Sequence, residues 1–235
     1  MSLALIASLA LFATIVVSGL IPLVLNWKQR HFDLFISFGA GVLLSAGFLH
    51  MLPESIASIG GKCGYFVLAG FLLLFFAEQV TMTHACAEEA CPNHKVGLSA
   101  LFGLSIHSII MGLALGVSFH ESKDHHVAIA MLLAVLIHKI PETLALAGLL
   151  LASAWSKPKS FAAIVTFSLM GPLGLLLSSS YAGNILGAAM GISTGTFIYI
   201  AASDLLPHIH KHEEHRWWNL TAFVVGLILL SFEFF

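Results

Sequence analysis

The chain has 235 residues, of which 58% are hydrophobic and 9% charged, with a mean hydropathy of +0.96. Soluble domains carry about 25% charged residues, so this composition excludes a water-soluble fold and indicates a polytopic membrane protein whose first partner is the lipid bilayer. A net charge of −2 excludes nucleic acid as a partner, and three cysteines (Cys63, Cys86 and Cys91) are too few and too odd for a disulfide framework.

A spanning helix needs about 20 apolar residues. Apolar runs predict eight spans, near Leu3–Leu25, Leu34–Leu52, Phe66–Met82, Leu98–Phe119, Val127–Leu151, Phe161–Ser178, Ile185–Pro207 and Trp217–Phe234. The fold class is therefore an all-α integral membrane bundle, a single polytopic domain over residues 1–235. The first span lacks the basic start of a secretory signal and is read as retained. Lys28, Arg30, Lys95, Lys157, Lys159, Lys211 and Arg216 fall in the loops after spans one, three, five and seven, against Lys62 and Lys123 on the other side. The positive-inside rule then puts both termini outside the cytoplasm, with the cell or plasma membrane as the expected location.

Span two ends His50-Met-Leu-Pro53-Glu54. The loop after span three carries His84, Cys86, Cys91 and His94; it reads either as a loose cytosolic metal trap or as a plain polar loop, since the spacing is not that of a closed zinc site. Span four contains His107-Ser108-Ile-Ile-Met111-Gly112, and span five His138-Lys139-Ile-Pro141-Glu142. Ionisable groups in hydrocarbon cost several kcal/mol, roughly 2.5–3.5 on insertion scales, so their presence here implies a task. Span seven ends Asp204-Leu-Leu-Pro207-His208, echoing span two on the opposite face. His208 opens a His-rich tract that runs to His215, either a metal-binding tract or a solvated loop. The echo, with spans four and five antiparallel between the halves, predicts an inverted 3+2+3 repeat, a plan in which substrate binds near the midplane. Gly112 with Gly116, and Gly187, Gly191 and Gly195, recur every four residues. Such spacing lets helices approach closely, either within the chain or at the seam of a homodimer.

On a helix, residues four apart share a face. His107 with Met111, and His138 with Glu142, would thus present imidazole, thioether and carboxylate donors to a common centre. Two imidazoles and a carboxylate suit Zn²⁺, with Fe²⁺, Mn²⁺, Co²⁺ or Cd²⁺ as alternatives. Lys139 opposes a second ion: it pairs with Glu142 or Asp204, or stands where a second metal would sit, so one central metal site is expected. His50 and Glu54 on the outer face, with Asp204 and His208 on the inner, are candidate waystations. The divalent metal is cargo, and no resident cofactor is expected. The expected function is transport of divalent cations across the membrane, zinc foremost. The alternative is an intramembrane metal-dependent hydrolase, against which stands the lack of a His-Glu-x-x-His motif.

At these residues the chain resembles the ZIP (Zrt/Irt-like) family of divalent-metal transporters. The resemblance rests on His107 to Gly116 in span four, on His138-Lys-Ile-Pro-Glu142 in span five and on the Leu-Pro ends of spans two and seven. It implies a bundle of inverted three-helix repeats around spans four and five, transport toward the cytosol, and His107, His138 and Glu142 as transport-site ligands. Many members carry a carboxylate where Met111 stands, and some hold two metals with Asn and Asp where this chain has Ser108 and Lys139. The resemblance thus also points to a site without the second ion.

Overall fold

A computed structural model describes residues 3–25, 29–85, 92–121, 125–207 and 216–231. All regular structure among them is helical: α1 (Leu3–Val24), α2 (Gln29–Ser45), α3 (Leu52–Ile59), α4 (Cys63–Ala85), α5 (Pro92–Glu121), α6 (His125–Ala152), α7 (Lys157–Ser168), α8 (Met170–Tyr199) and α9 (Arg216–Ser231). Helices are what hydrocarbon demands, because every backbone N–H and C=O must be satisfied within the segment. Six segments are long and apolar enough to cross a membrane: Leu3–Val24, Asp33–Ala77, Gly97–Phe119, Met131–Ala152, Lys157–Ser178 and Ile185–Ser203. Arg216–Leu229 is a shorter apolar helix. The chain is a multi-pass helical membrane protein.

Its polarity is inverted relative to a soluble protein. Leu9, Val17, Leu68, Phe76, Leu176 and Ile185 are exposed on the outside, whereas Ser37, Ser108, Lys139, Glu142, Thr143, Ser193 and Thr194 are buried. Hydroxyls survive inside apolar helices by bonding back to their own backbone. Ser37 Oγ donates to the Asp33 carbonyl at 2.8 Å, Thr143 Oγ1 to that of Lys139 at 2.7 Å, and Thr194 Oγ1 to that of Met190 at 2.9 Å.

The described parts of the predicted spans are helical, but span six crosses the junction of α7 and α8 at Leu169 and α8 continues from it into span seven; two π-helical turns are further differences. The helical run that begins as α2 passes through a π-helical turn at Ala46–Met51 before α3, and α8 passes into a second at Ile200–Leu205. Each turn is followed at once by Leu-Pro, Leu52-Pro53 and Leu206-Pro207. A proline ring clashes with the carbonyl four residues back and removes a donor; the wider π turn accommodates both effects. Pro141, by contrast, lies inside an unbroken α6.

Glycines set the closest helix contacts. A Cβ on Gly112 would lie 2.1 Å from the Gly171 carbonyl oxygen, and one on Gly174 2.0 Å from that of Ile109, so α5 and α8 meet backbone to backbone. Gly195 meets α4 in the same way at Val67, while Gly191 faces Phe66 and Gly187 faces Ser58. The four-residue glycine stripes are thus spent on packing within the chain. Arg30, near the start of α2, lies over the Trp218 ring near the start of α9 at 5.3 Å, as at an interfacial aromatic belt. Asn219 is buried in α9 at 1% exposure.

Candidate metal centre

Helices α5 and α6 pack against each other, and both are largely buried within the bundle. His107 projects from α5; His138 and Glu142 project from α6, one turn apart. One donor atom from each of the three lies within 4.8 Å of the others. His107 Nε2 is 4.0 Å from Glu142 Oε2, and the two imidazole centroids are 6.2 Å apart. His107 and Glu142 are buried and His138 is half-buried. A tetrahedral ion with bonds of about 2.0–2.2 Å spaces its ligand atoms by roughly 3.3 Å. The cluster therefore needs to contract by about an ångström to close fully on an ion, or to leave room for water.

Each imidazole has one nitrogen already engaged. His138 Nδ1 lies 3.0 Å from the Ala134 carbonyl of its own helix. A carbonyl can only accept, so Nδ1 carries the proton and Nε2 offers a lone pair. His107 Nδ1 lies 3.3 Å from Ser193 Oγ on α8, and its ring sits 4.8 Å from that of Phe197, one turn further along α8. At His138, Nε2 is thus the nitrogen left for a metal, and at His107 it is Nε2 that faces Glu142.

Lys139, fully buried, resolves one of the sequence alternatives: its Nζ donates to both oxygens of Glu142, at 2.9 and 2.7 Å. The same ammonium lies 5.4 Å from the Phe167 ring centroid, within cation–π range. A divalent ion arriving at Glu142 therefore meets a carboxylate already shared with a fixed cation.

These residues fall within a matching family model. The model described as ZIP zinc transporter matches residues 1–99 and 88–232. The chain belongs to the ZIP family. Among its relatives are the zinc transporter ZIP9 of Xenopus tropicalis, 24% identical over 95% of this chain and 92% of the relative, and the human zinc transporter ZIP1, 25% identical over 87% and 78%. The zinc transporter ZIP13 of Pongo abelii is 29% identical over 86% of this chain and 67% of the relative.

The remaining predicted residues of this ZIP protein divide by location. Met111, one turn from His107, is buried in an apolar cluster with Leu11, Leu115, Leu132, Val135 and Leu175. Ser108 is fully buried and faces α8 near Gly171. His50 lies in the first π turn, its Nδ1 3.5 Å from Glu54 Oε1 on a partly exposed edge. Asp204 occupies the second π turn. Position 84 is near the end of α4 and position 94 near the start of α5, while Cys86, Cys91 and His208 lie outside the described residues. Sequence reasoning missed Ser193, Phe197 and Phe167. Ser193 was detectable as a hydroxyl among small residues in an apolar span; the two rings look like ordinary apolar side chains.

Proposed function

We propose that this protein carries divalent metal cations, zinc foremost, into the cytosol through one midplane site made by His107, His138 and Glu142. The observation that carries the reading is the convergence of two imidazole nitrogens and a carboxylate, from two crossing helices, within 4.8 Å inside an apolar bundle. Membership of the ZIP family favours a transporter over an intramembrane hydrolase. The relatives named as zinc transporters favour zinc; Fe²⁺, Mn²⁺, Co²⁺ and Cd²⁺ suit the same donors.

The path runs through an eight-span, inverted 3+2+3 bundle. Asp33–Ala77 covers 45 residues, far more than the about 20 that one crossing uses, and is broken at Gly60, where φ is +62°. It supplies spans two and three. Lys157–Ser178 and Ile185–Ser203 supply spans six and seven, and the short Arg216–Leu229 helix supplies span eight. Matching features support the inversion. Gly41 stands five residues before the first π turn and Gly195 five before the second; Pro53 and Pro207 each follow by two. Gly41 meets the backbone of span eight at Phe223, while Gly195 meets that of span three at Val67. His50 and Asp204 take the same place in their turns, and with Glu54 and His208 they form the waystations on either side of the centre. His84, Cys86, Cys91 and His94 serve either as a loose cytosolic trap or as a plain polar loop, Met111 lends a soft accessory donor or wall, and Ser108 and Lys139 stand where a second ion would bind.

Both termini lie outside the cytoplasm of a cell or plasma membrane, as the basic loops require. The whole chain acts as one domain, and a homodimer would meet through lipid-facing side chains, since the glycine seams are used internally.

The test is uptake into proteoliposomes across Zn²⁺, Fe²⁺, Mn²⁺, Cd²⁺ and Co²⁺, repeated with His107→Ala and His138→Ala. Saturable zinc uptake lost in both variants is expected. Undiminished saturable uptake in either would remove that residue from the site, and flux that never saturates would indicate a channel.

A further inference from the structure

We propose that Phe167 is a positioning residue of the metal centre: its ring face receives the Lys139 ammonium as an ion arrives, which frees Glu142 for the metal. This rests on the reading of Glu142 as a ligand.

An ammonium has three N–H donors and no acceptor. Lys139 Nζ donates to Glu142 Oε1 at 2.9 Å and to Oε2 at 2.7 Å. Among the described residues Nζ has no other oxygen partner; the group beside it is the Phe167 ring, its centroid 5.4 Å away. Lys139 is 1% exposed and Phe167 fully buried. Bulk water therefore does not compete for the cation, and a desolvated cation–π contact is stronger than an exposed one. Phe167 lies in the last turn of α7, so the ring belongs to a different helix from the lysine and the carboxylate.

Oε2 is the contested atom. It is the oxygen nearer the ammonium and also the one 4.0 Å from His107 Nε2. A metal bound there, at about 2.0–2.2 Å, would share its oxygen with a cation and repel it. The ammonium must then give up part of its hold on Oε2, and a buried cation that loses a partner is costly unless another replaces it. The negative face of an aromatic ring is such a partner. It offers zinc none of the nitrogen, oxygen or sulfur atoms that the metal prefers, so it takes up the ammonium without competing for the ion. A leucine in its place would fill much of the space without holding the charge.

Phe167 also belongs to the apolar core that includes Ile15, Leu146 and Ile164. Packing depends on the size of the ring, whereas the ammonium responds to the charge on its face. Ring fluorination separates the two, because it withdraws electron density from the face with little change in bulk.

The experiment uses full-length protein in lipid nanodiscs, with Phe167 replaced through amber suppression by phenylalanines carrying one, two and three ring fluorines. The Zn²⁺ dissociation constant should rise with each fluorine, by about tenfold at three, within what a desolvated cation–π contact supplies. The same series on a Lys139→Met background should show no trend. A dissociation constant that falls, or stays within about twofold across the first series, would overturn the proposal, as would an equal trend on both backgrounds. Glu142→Gln separates this failure from that of the site. Lost zinc binding in Glu142→Gln beside a flat fluorine series would remove the role of Phe167 and keep the ligand. Wild-type binding by Glu142→Gln would overturn the ligand reading, and this inference with it.

Discussion

The buried pair Lys139–Glu142 allows transport to be separated from stability. At 2.7–2.9 Å, attraction between the unit charges is about 6 kcal/mol at an effective dielectric of 20. Removing both from water costs several kcal/mol per ion, so the intact pair lies near break-even. Glu142→Ala keeps the desolvation of Lys139 and loses the attraction. The expected cost is about 3–5 kcal/mol, the range for breaking a buried pair, or roughly two to three and a half decades in the folding equilibrium at 1.4 kcal/mol per decade. Replacing both residues, Lys139→Met with Glu142→Leu, removes charge and desolvation together and should restore stability to wild type or slightly above. Neither variant retains the carboxylate, so neither should show saturable zinc uptake. The assay is thermal unfolding in detergent alongside uptake in proteoliposomes. A double variant as unstable as Glu142→Ala would refute the energetic argument, and a double variant that transports would refute the role of Glu142.

Three further outcomes are expected. Because a metal binds only unprotonated imidazole and carboxylate, zinc uptake at fixed free zinc should weaken on acidification from about pH 8 to about pH 5; uptake that rises on acidification in a pH-jump assay would contradict ligation by these donors. Lys139→Asp replaces a fixed cation with a ligand, so bound zinc per protein, measured by elemental analysis, should rise from one toward two; unchanged stoichiometry would argue against the lysine as a stand-in for an ion. Gly174→Ala places a methyl 2.0 Å from the Ile109 carbonyl oxygen, so the yield of monodisperse protein on size exclusion should fall sharply; wild-type yield and melting temperature would show that the α5–α8 seam is looser than described.

Much of this was legible because the membrane simplifies the code. An apolar run of sufficient length must be helical, and a polar group within it costs enough to imply a role. His107, His138 and Glu142 stood out for that reason, and helical spacing alone placed His138 and Glu142 on one face. What spacing does not fix is azimuth between helices. Lys139, one residue from His138, starts about 100° away on the wheel, yet its long side chain reaches Glu142 three residues on; the choice between Glu142 and Asp204 needed coordinates. Met111 shows the same limit: its sequence position matches a ligand's, but its surroundings are the apolar cluster around Leu11 and Leu175. The π turns were also out of reach, because Leu-Pro signals a disturbed helix without saying whether it kinks or widens.

The charge balance of the centre bears on how an ion leaves it. With neutral imidazoles, Lys139 and Glu142 cancel, so a bound divalent ion leaves a net double positive charge in a low-dielectric interior. A carboxylate shared between ammonium and metal binds each less tightly than it would bind either alone. Under the proposed function, Lys139 would exclude a second ion and would also weaken the hold on the first, as a carrier needs if the ion is to dissociate on the far side. Lys139→Met should accordingly lower the zinc dissociation constant while reducing the maximal uptake rate, a pairing that simple damage to the fold would not produce. Loss of affinity in that variant would show that the lysine organises Glu142 for binding, and that weakening by a shared carboxylate is the wrong account.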